Sequence, residues 1–356
     1  MTMLRRSPVG GARRRAVAAD TAESVRLGFL DAVDTLPRLI EAAVRGLDAV
    51  SWARRHRESI RRELLAHGAV LLRGFEIDGV AEFEQVICAL SDEALAYTFR
   101  ASPRHQIEPG VNVYTSTDYP PDQAIFPHNE HAYSPVFPGE IFFFCDRPAE
   151  RGGATPIGDA RRFLHMLPES VLERFASLGV LYVRNYNTGF GLPWQTVFQT
   201  EDRSRVEDRC RRQGIDVEWL GRDRLRTRHV GPALVRHPDS GERVWFNHAA
   251  FFHVTTLATE LREGVTGALD EHDYPTQTYY GDGTPIEPEV LEMLRGMYTG
   301  ALVEFAWRRG DILVLDNLLA VHGRTPYRGD RRVVVGMARP LSWSAVAVEP
   351  AAGAKR

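Results

Sequence analysis

The sequence predicts a mainly β protein, a barrel or jelly roll with helices around it. Short apolar runs closed by Gly or Pro recur along the chain, as in Ala69–Phe75 and Arg332–Met337. Helical stretches sit among them without the regular strand–helix alternation of a parallel sheet. Residues 25 to 345 show no internal repeat and no low-complexity linker, which predicts a single domain. The chain has 356 residues, a length that one barrel-based enzyme commonly occupies.

In order, residues 36 to 67 carry Leu, Ile, Ala and Arg in a 3.6-residue rhythm ending at His67-Gly68 and predict a helix. Ala69–Phe75 is a strand, and Val80–Leu90 a second helix. Val111–Ser116, Ile141–Cys145 and Val180–Tyr186 are strand-like, with Phe142-Phe143-Phe144 read as barrel core. Residues 199 to 220 are charged and read as helical, as does 285 to 298. Strands return at Leu302–Phe305, Asp311–Leu315 and Arg332–Met337. Residues 190 to 300 are expected to form an elaborate insertion over the barrel mouth. The Arg-rich 1–24 and the terminal 346–356 read as disordered tails.

Composition narrows the function. The content, 44% hydrophobic and 26% charged, is that of a globular protein, and a net charge of -3 offers no general attraction to nucleic acid. Cys88, Cys145 and Cys210 are odd in number and unpaired by any CxxC, which argues for a reducing compartment and against a thiolate zinc site. No stretch approaches the ~20 apolar residues of a membrane span. A cytoplasmic enzyme, without membrane or nucleic-acid partners, is the expectation.

The chemistry is carried by His128-Asn129-Glu130 and by His322 in Asp316–Arg324. Two imidazoles and a carboxylate are the ligand set of a non-haem Fe(II) oxygenase. If this segment is extended, His128 and Glu130 share a face. His131 then points away, and His248 and His253 read as packed histidines.

Tyr114–Pro120, Phe126–Glu130, Tyr133-Ser134-Pro135, Gly152–Pro156 and His322–Arg332 together resemble the TauD/TfdA family. The resemblance spans about Ala69 to Pro340 and is most similar to SyrP-like and clavaminate-synthase-like members. It implies a double-stranded β-helix (a cupin-like jelly roll), with Fe(II), 2-oxoglutarate and O2 as cofactor and co-substrates. His128, Glu130 and His322 would bind the metal. Glu130 replaces the Asp of most members and argues against halogenation, because the halogenases lack this carboxylate. Thr155 and Arg332 would hold the distal carboxylate of 2-oxoglutarate. Strand pattern does not choose between Arg331 and Arg332, since both parities of Val333–Met337 are apolar; Arg332 is taken from the family motif.

Gly336, four residues beyond Arg332, stands where taurine-dioxygenase-like members place a substrate-binding Arg, so an anion anchor on this strand is not expected and space is left for a bulkier substrate. Arg100, Arg104, Asn129 and Tyr114 are candidate substrate contacts, with the two arginines equally readable as surface residues and Asn129 as a loop-binding one. The implied reaction is hydroxylation of an unactivated C–H bond in an amino-acid-derived molecule, free or carrier-tethered, in antibiotic-type biosynthesis. Desaturation or oxidative cyclisation is the alternative. A cupin-like hydrolase or isomerase, or a non-catalytic binding protein, are the rivals from other classes.

Overall fold

The computed structural model describes residues 24–31, 35–96, 104–300 and 302–346. Two sheets form the β-helix. The larger runs in the order Val25–Gly28, Arg38–Ala42, Ala69–Arg73, Ile312–Asp316, Val136–Arg147, Arg332–Ser342, Tyr114–Thr115. The smaller runs Leu302–Val303, Ile157–Asp159, Ala320–Arg324, Ile125–His128. This is the expected mainly β architecture.

Alternation of side chains divides the larger sheet into two apolar faces. Val70, Leu72, Phe142, Phe144, Val314 and Val334 face outward. They pack beneath helices α1 (Ala49–His67) and α2 (Val80–Ser91). Leu71, Phe143, Leu313, Val333, Val335 and Met337 face inward and fill the barrel. Phe143 therefore belongs to the interior, whereas its neighbours Phe142 and Phe144 support the helices.

Helix α1 starts at Asp48, whose carboxylate accepts from the Ser51 N–H at 2.7 Å, and ends at Gly68 in the left-handed region. The helix predicted from residue 36 is thus shorter. Residues Arg38–Ala42 instead form a strand, parallel to Ala69–Arg73. Leu and Ile suit either state, and pairing along a buried strand decides it. Likewise only Arg203–Arg212 of the charged 199–220 stretch is helical; Asp216–Leu220 is a strand.

A further four-stranded sheet, ordered Asp216–Leu220, Arg224–Gly231, Val180–Tyr186, Thr276–Tyr280, lies in the region following the Ile157–Asp159 strand. Its residues Val180, Tyr182 and Tyr280 share a core with Tyr133 and Val321 of the barrel side. Among the described residues, no helix is long and apolar enough to cross a membrane.

Candidate active site

The two histidines arrive on neighbouring antiparallel strands. His322 pairs directly across from His128, and their rings lie 4.6 Å apart. Glu130 is not on the strand. Ile125–His128 ends at His128, and Glu130 sits in the turn that follows, where His131 adopts φ +56. The two-residue strand periodicity therefore does not explain how Glu130 reaches the histidines.

Asn317 explains it. Its Oδ1 accepts from the Glu130 N–H at 2.7 Å, and its Nδ2 donates to the carbonyls of Glu130 (2.8 Å) and Pro138 (2.7 Å). Asn129 returns the contact, donating to the carbonyls of Asn317 (2.7 Å) and Ala320 (3.3 Å). The ligand-bearing turn is thus tied to the connection that leads into the His322 strand. Asn129 is fully buried in this role, so it does not line a substrate mouth.

One ligand atom from each of His128, Glu130 and His322 lies within 4.8 Å of the others, and all three residues are buried. His128 Nδ1 is 2.8 Å from the Phe126 carbonyl, which can only accept. The proton must therefore be on Nδ1, leaving the Nε2 lone pair for a metal. Burial, reinforced by neighbouring His322, holds His128 well below the ordinary imidazole pKa, so it is neutral. Burial opposes ionisation of Glu130. The Arg104 guanidinium and the His322 contact outweigh it and keep the carboxyl well below the usual range. Arg104 Nη2 donates to Glu130 Oε2 at 2.8 Å. The neutral His128 imidazole, the His322 ring and the ionised Glu130 carboxylate fit a divalent metal. Among the described residues, no other such group occurs.

Beside the triad is a cleft of about 400 Å³, lined by Arg104, Thr117, His128, Thr155, His322 and Arg331, among others. Thr155 is buried, and its hydroxyl oxygen accepts from Trp307 Nε1 at 3.1 Å. Arg331, not Arg332, enters the cleft. Arg331 Nε donates to the Gly153 carbonyl at 2.9 Å, and burial, with the Arg324 charge second, lowers its pKa to about 10. Arg332 points the other way, with its side chain 45% exposed and Nη1 3.3 Å from Asp146 Oδ2. Arg331 shares the inward parity of Val333, which also lines the cleft.

Gly153 makes room for this arrangement. A Cβ there would stand 2.9 Å from Arg331 Cδ, and its φ of +72 is a glycine conformation. The same parity corrects the reading of Gly336. It faces α2, where an added Cβ would meet Ile87 Cδ1 at 2.3 Å, so it leaves no space for a substrate. The position four residues after Arg331 is Val335, which is buried and apolar. The inward face still lacks the second cation, but for a different residue.

Tyr114 is packed in the barrel interior and does not line the cleft. Arg104 is buried at the cleft rather than on the surface. Arg100 lies outside the described residues. His131 is not turned away: its Nε2 is 3.4 Å from Glu130 Oε1. His248 is a packed histidine, its Nε2 2.7 Å from the Asn129 carbonyl, and His253 caps a short turn of helix. Phe251 stacks on His128 at 4.4 Å and shields the triad.

Comparison with known proteins agrees with this geometry. The family model described as taurine catabolism dioxygenase TauD, TfdA family, matches residues 32–338. The chain is 39% identical over 278 residues to the dapdiamide synthesis protein DdaC of Enterobacter agglomerans, covering 78% of this chain and 84% of that protein. It is 30% identical over 285 residues to a clavaminate synthase-like protein of Arabidopsis thaliana, covering 76% and 82%. Among solved structures, its fold is similar to PvcB, described as an Fe, alpha-ketoglutarate dependent oxygenase from an isonitrile synthetic pathway. That match has a TM-score of 0.53 at 17% identity and covers 93% of this chain and 97% of PvcB. With a triad able to hold a metal ion, the chain belongs to the TauD/TfdA family of dioxygenases.

Proposed function

We propose that this dioxygenase uses Fe(II), 2-oxoglutarate and O2 to hydroxylate an unactivated C–H bond of an amino-acid-derived small molecule in specialised metabolism. The observation that carries the reading is one cleft lined by His128 and His322 of the triad together with Thr155 and Arg331. A metal hydrolase on this fold needs the triad alone; a half-buried guanidinium and a buried hydroxyl in the same cleft serve a second, acidic ligand. The relationship to a dapdiamide synthesis protein supports a biosynthetic role.

His128, Glu130 and His322 would hold iron from one side and leave its other positions open. Arg331, with Thr155, would grip the distal carboxylate of 2-oxoglutarate and set its reach toward the metal. Bound iron with 2-oxoglutarate and O2 supplies oxidative decarboxylation coupled to C–H oxidation. Phe143, Val333 and Phe251 keep bulk water from the reacting centre. The substrate is free or tethered to a carrier protein, and the enzyme acts in the cytoplasm.

Anaerobic protein given Fe(II) and 2-oxoglutarate should develop the weak visible charge-transfer band of the chelate and lose it with a chelator. Folded, metal-loaded protein without the band would refute the reading, as would turnover in the absence of oxygen.

A further inference from the structure

Three buried guanidiniums of this fold are matched by carboxylates. Arg73 Nη2 is 2.7 Å from Asp311 Oδ2, Arg104 Nη2 is 2.8 Å from Glu130 Oε2, and Arg226 Nη2 is 2.9 Å from Asp273 Oδ1. Arg324 departs from that pattern. It is buried, yet its partners are backbone carbonyls, and among the described residues no carboxylate pairs with it. Nη1 donates to the Tyr119 carbonyl at 3.1 Å, and Nη2 donates to those of Pro120 (2.5 Å) and Gln123 (2.9 Å). Nε is buried with no acceptor among the described residues. Carbonyl dipoles solvate a cation without neutralising it, so Arg324 holds a full charge in a poorly hydrated place.

That charge lies at the cleft of the triad. Arg324 follows His322 by two residues on the Ala320–Arg324 strand, and both line the cleft together with Thr155 and Arg331. The Tyr327 ring stands near both cations, its centroid 5.1 Å from the Arg324 guanidinium and 5.5 Å from that of Arg331. The two charges are therefore on the order of 10 Å apart or less, a range over which buried charges are weakly screened. Arg331 registers its neighbour: burial first, and Arg324 next, bring its pKa down to about 10. Like charges this close raise the energy of the empty cleft, and an anion lying near both lowers it.

The carbonyl contacts also pin the Tyr119–Gln123 segment, which the Tyr327 N–H holds independently by donating to the Pro121 carbonyl at 2.7 Å. A latch on three carbonyls needs donors only. A neutral amide or hydroxyl supplies donors without burying an ion, so latching alone does not account for a guanidinium here. An anionic ligand in the same cleft does, because the charge then meets its counterpart when the site fills.

We propose that Arg324 is a second cationic residue serving the dicarboxylate co-substrate, a positioning residue that favours a distal carboxylate at Arg331 through space and without contact. The proposal rests on the 2-oxoglutarate reading above and adds to it a source of selectivity for a dianion.

Calorimetry on the Zn(II)-loaded full chain, with 2-oxoglutarate and 2-oxovalerate as ligands, tests it. 2-Oxovalerate keeps the chelating keto acid and lacks the distal carboxylate. Wild type should prefer 2-oxoglutarate. Arg324→Gln, which keeps an amide donor, should shrink that preference about tenfold, the effect of removing one unit charge on the order of 10 Å away in a partly buried site. Arg324→Lys should retain most of the preference. An unchanged preference in Arg324→Gln overturns the proposal. So does an equal loss in the Gln and Lys variants, which leaves Arg324 as a latch for the loop only.

Should Arg324→Gln misfold, the wild type still decides. In nitrogen–proton NMR spectra of the Zn(II)-loaded protein, the Arg324 Nε–H resonance should move on addition of 2-oxoglutarate and stay nearly in place with 2-oxovalerate; equal movement, or none, refutes the proposal. Wild type that fails to bind 2-oxoglutarate removes the co-substrate reading and this proposal with it. Binding of 2-oxoglutarate with a preference indifferent to Arg324 refutes the role of Arg324 alone.

Discussion

Replacing Arg331 by Ala should weaken 2-oxoglutarate binding by about two orders of magnitude, whereas replacing Arg332 should not. Arg331 reaches the cleft through a largely buried path, fixed by its bond to the Gly153 carbonyl. A charge-assisted pair to a carboxylate in such a place is worth about 3 kcal/mol when one partner is truncated, because the other charge is left unpaired. That is roughly a hundredfold in dissociation constant. Arg332 faces solvent beside Asp146, where an ion pair contributes at most about 1 kcal/mol to stability and nothing to the cleft. Arg331→Lys keeps the charge but loses the two-pronged fork, and should fall between wild type and Ala. The assay is titration of 2-oxoglutarate into anaerobic Fe(II)-loaded protein, followed by the visible band. If Arg332→Ala weakens binding and Arg331→Ala does not, the parity argument is wrong.

Three further perturbations probe the surroundings. Gly153→Ala forces a left-handed backbone onto alanine, at about 1–2 kcal/mol, and drives its Cβ into Arg331; melting should fall and 2-oxoglutarate affinity drop, and an unchanged melting curve would contradict the packing. Asn317→Ala strips partners from the Glu130 N–H and from two buried carbonyls, so about 3 kcal/mol of stability and much of the affinity for Co(II) should be lost; intact Co(II) titration would show the turn to be held otherwise. Burial holds His229 near 4 and His248 near 3, while unfolded imidazoles titrate near 6.5. Below about pH 6.5 the unfolded chain takes up protons that the folded one refuses. Stability is therefore full above that pH and falls toward pH 4, by up to about 1.4 kcal/mol per pH unit for each imidazole. Urea midpoints of metal-free protein at pH 7.5, 6 and 5 should decline in that order; a flat series contradicts the burial.

The triad was legible because two ligands lie within three residues and the third sits in a recognisable run. The turn that presents Glu130 was not, since adjacency in sequence says nothing of where a strand stops. Asn317 stood in plain view beside His322, but its partners come from residues almost two hundred positions away. The choice between Arg331 and Arg332 required orientation: Val333 and Val334 are equally apolar, one facing the barrel and the other the helices. That two-sided burial also explains the Gly336 misreading, because space at a glycine depends on what covers its face. Arg38–Ala42 reads as helix from sequence because its residues suit both states and its parallel partner is distant in sequence.

The Arg104–Glu130 pair bears on how the site fills. With that pair neutral overall, Arg324 and Arg331 leave the cleft with an excess of positive charge. A divalent cation arriving alone increases the excess, and a dicarboxylate arriving alone cancels it. Together they nearly balance, so each makes the cleft more receptive to the other, and by thermodynamic linkage to the same degree. Mn(II) dissociation constants measured with and without 2-oxoglutarate would reveal this coupling; equal values would exclude it. A cleft of this kind discards metal when the co-substrate is scarce, which ties iron occupancy of the enzyme to the supply of 2-oxoglutarate.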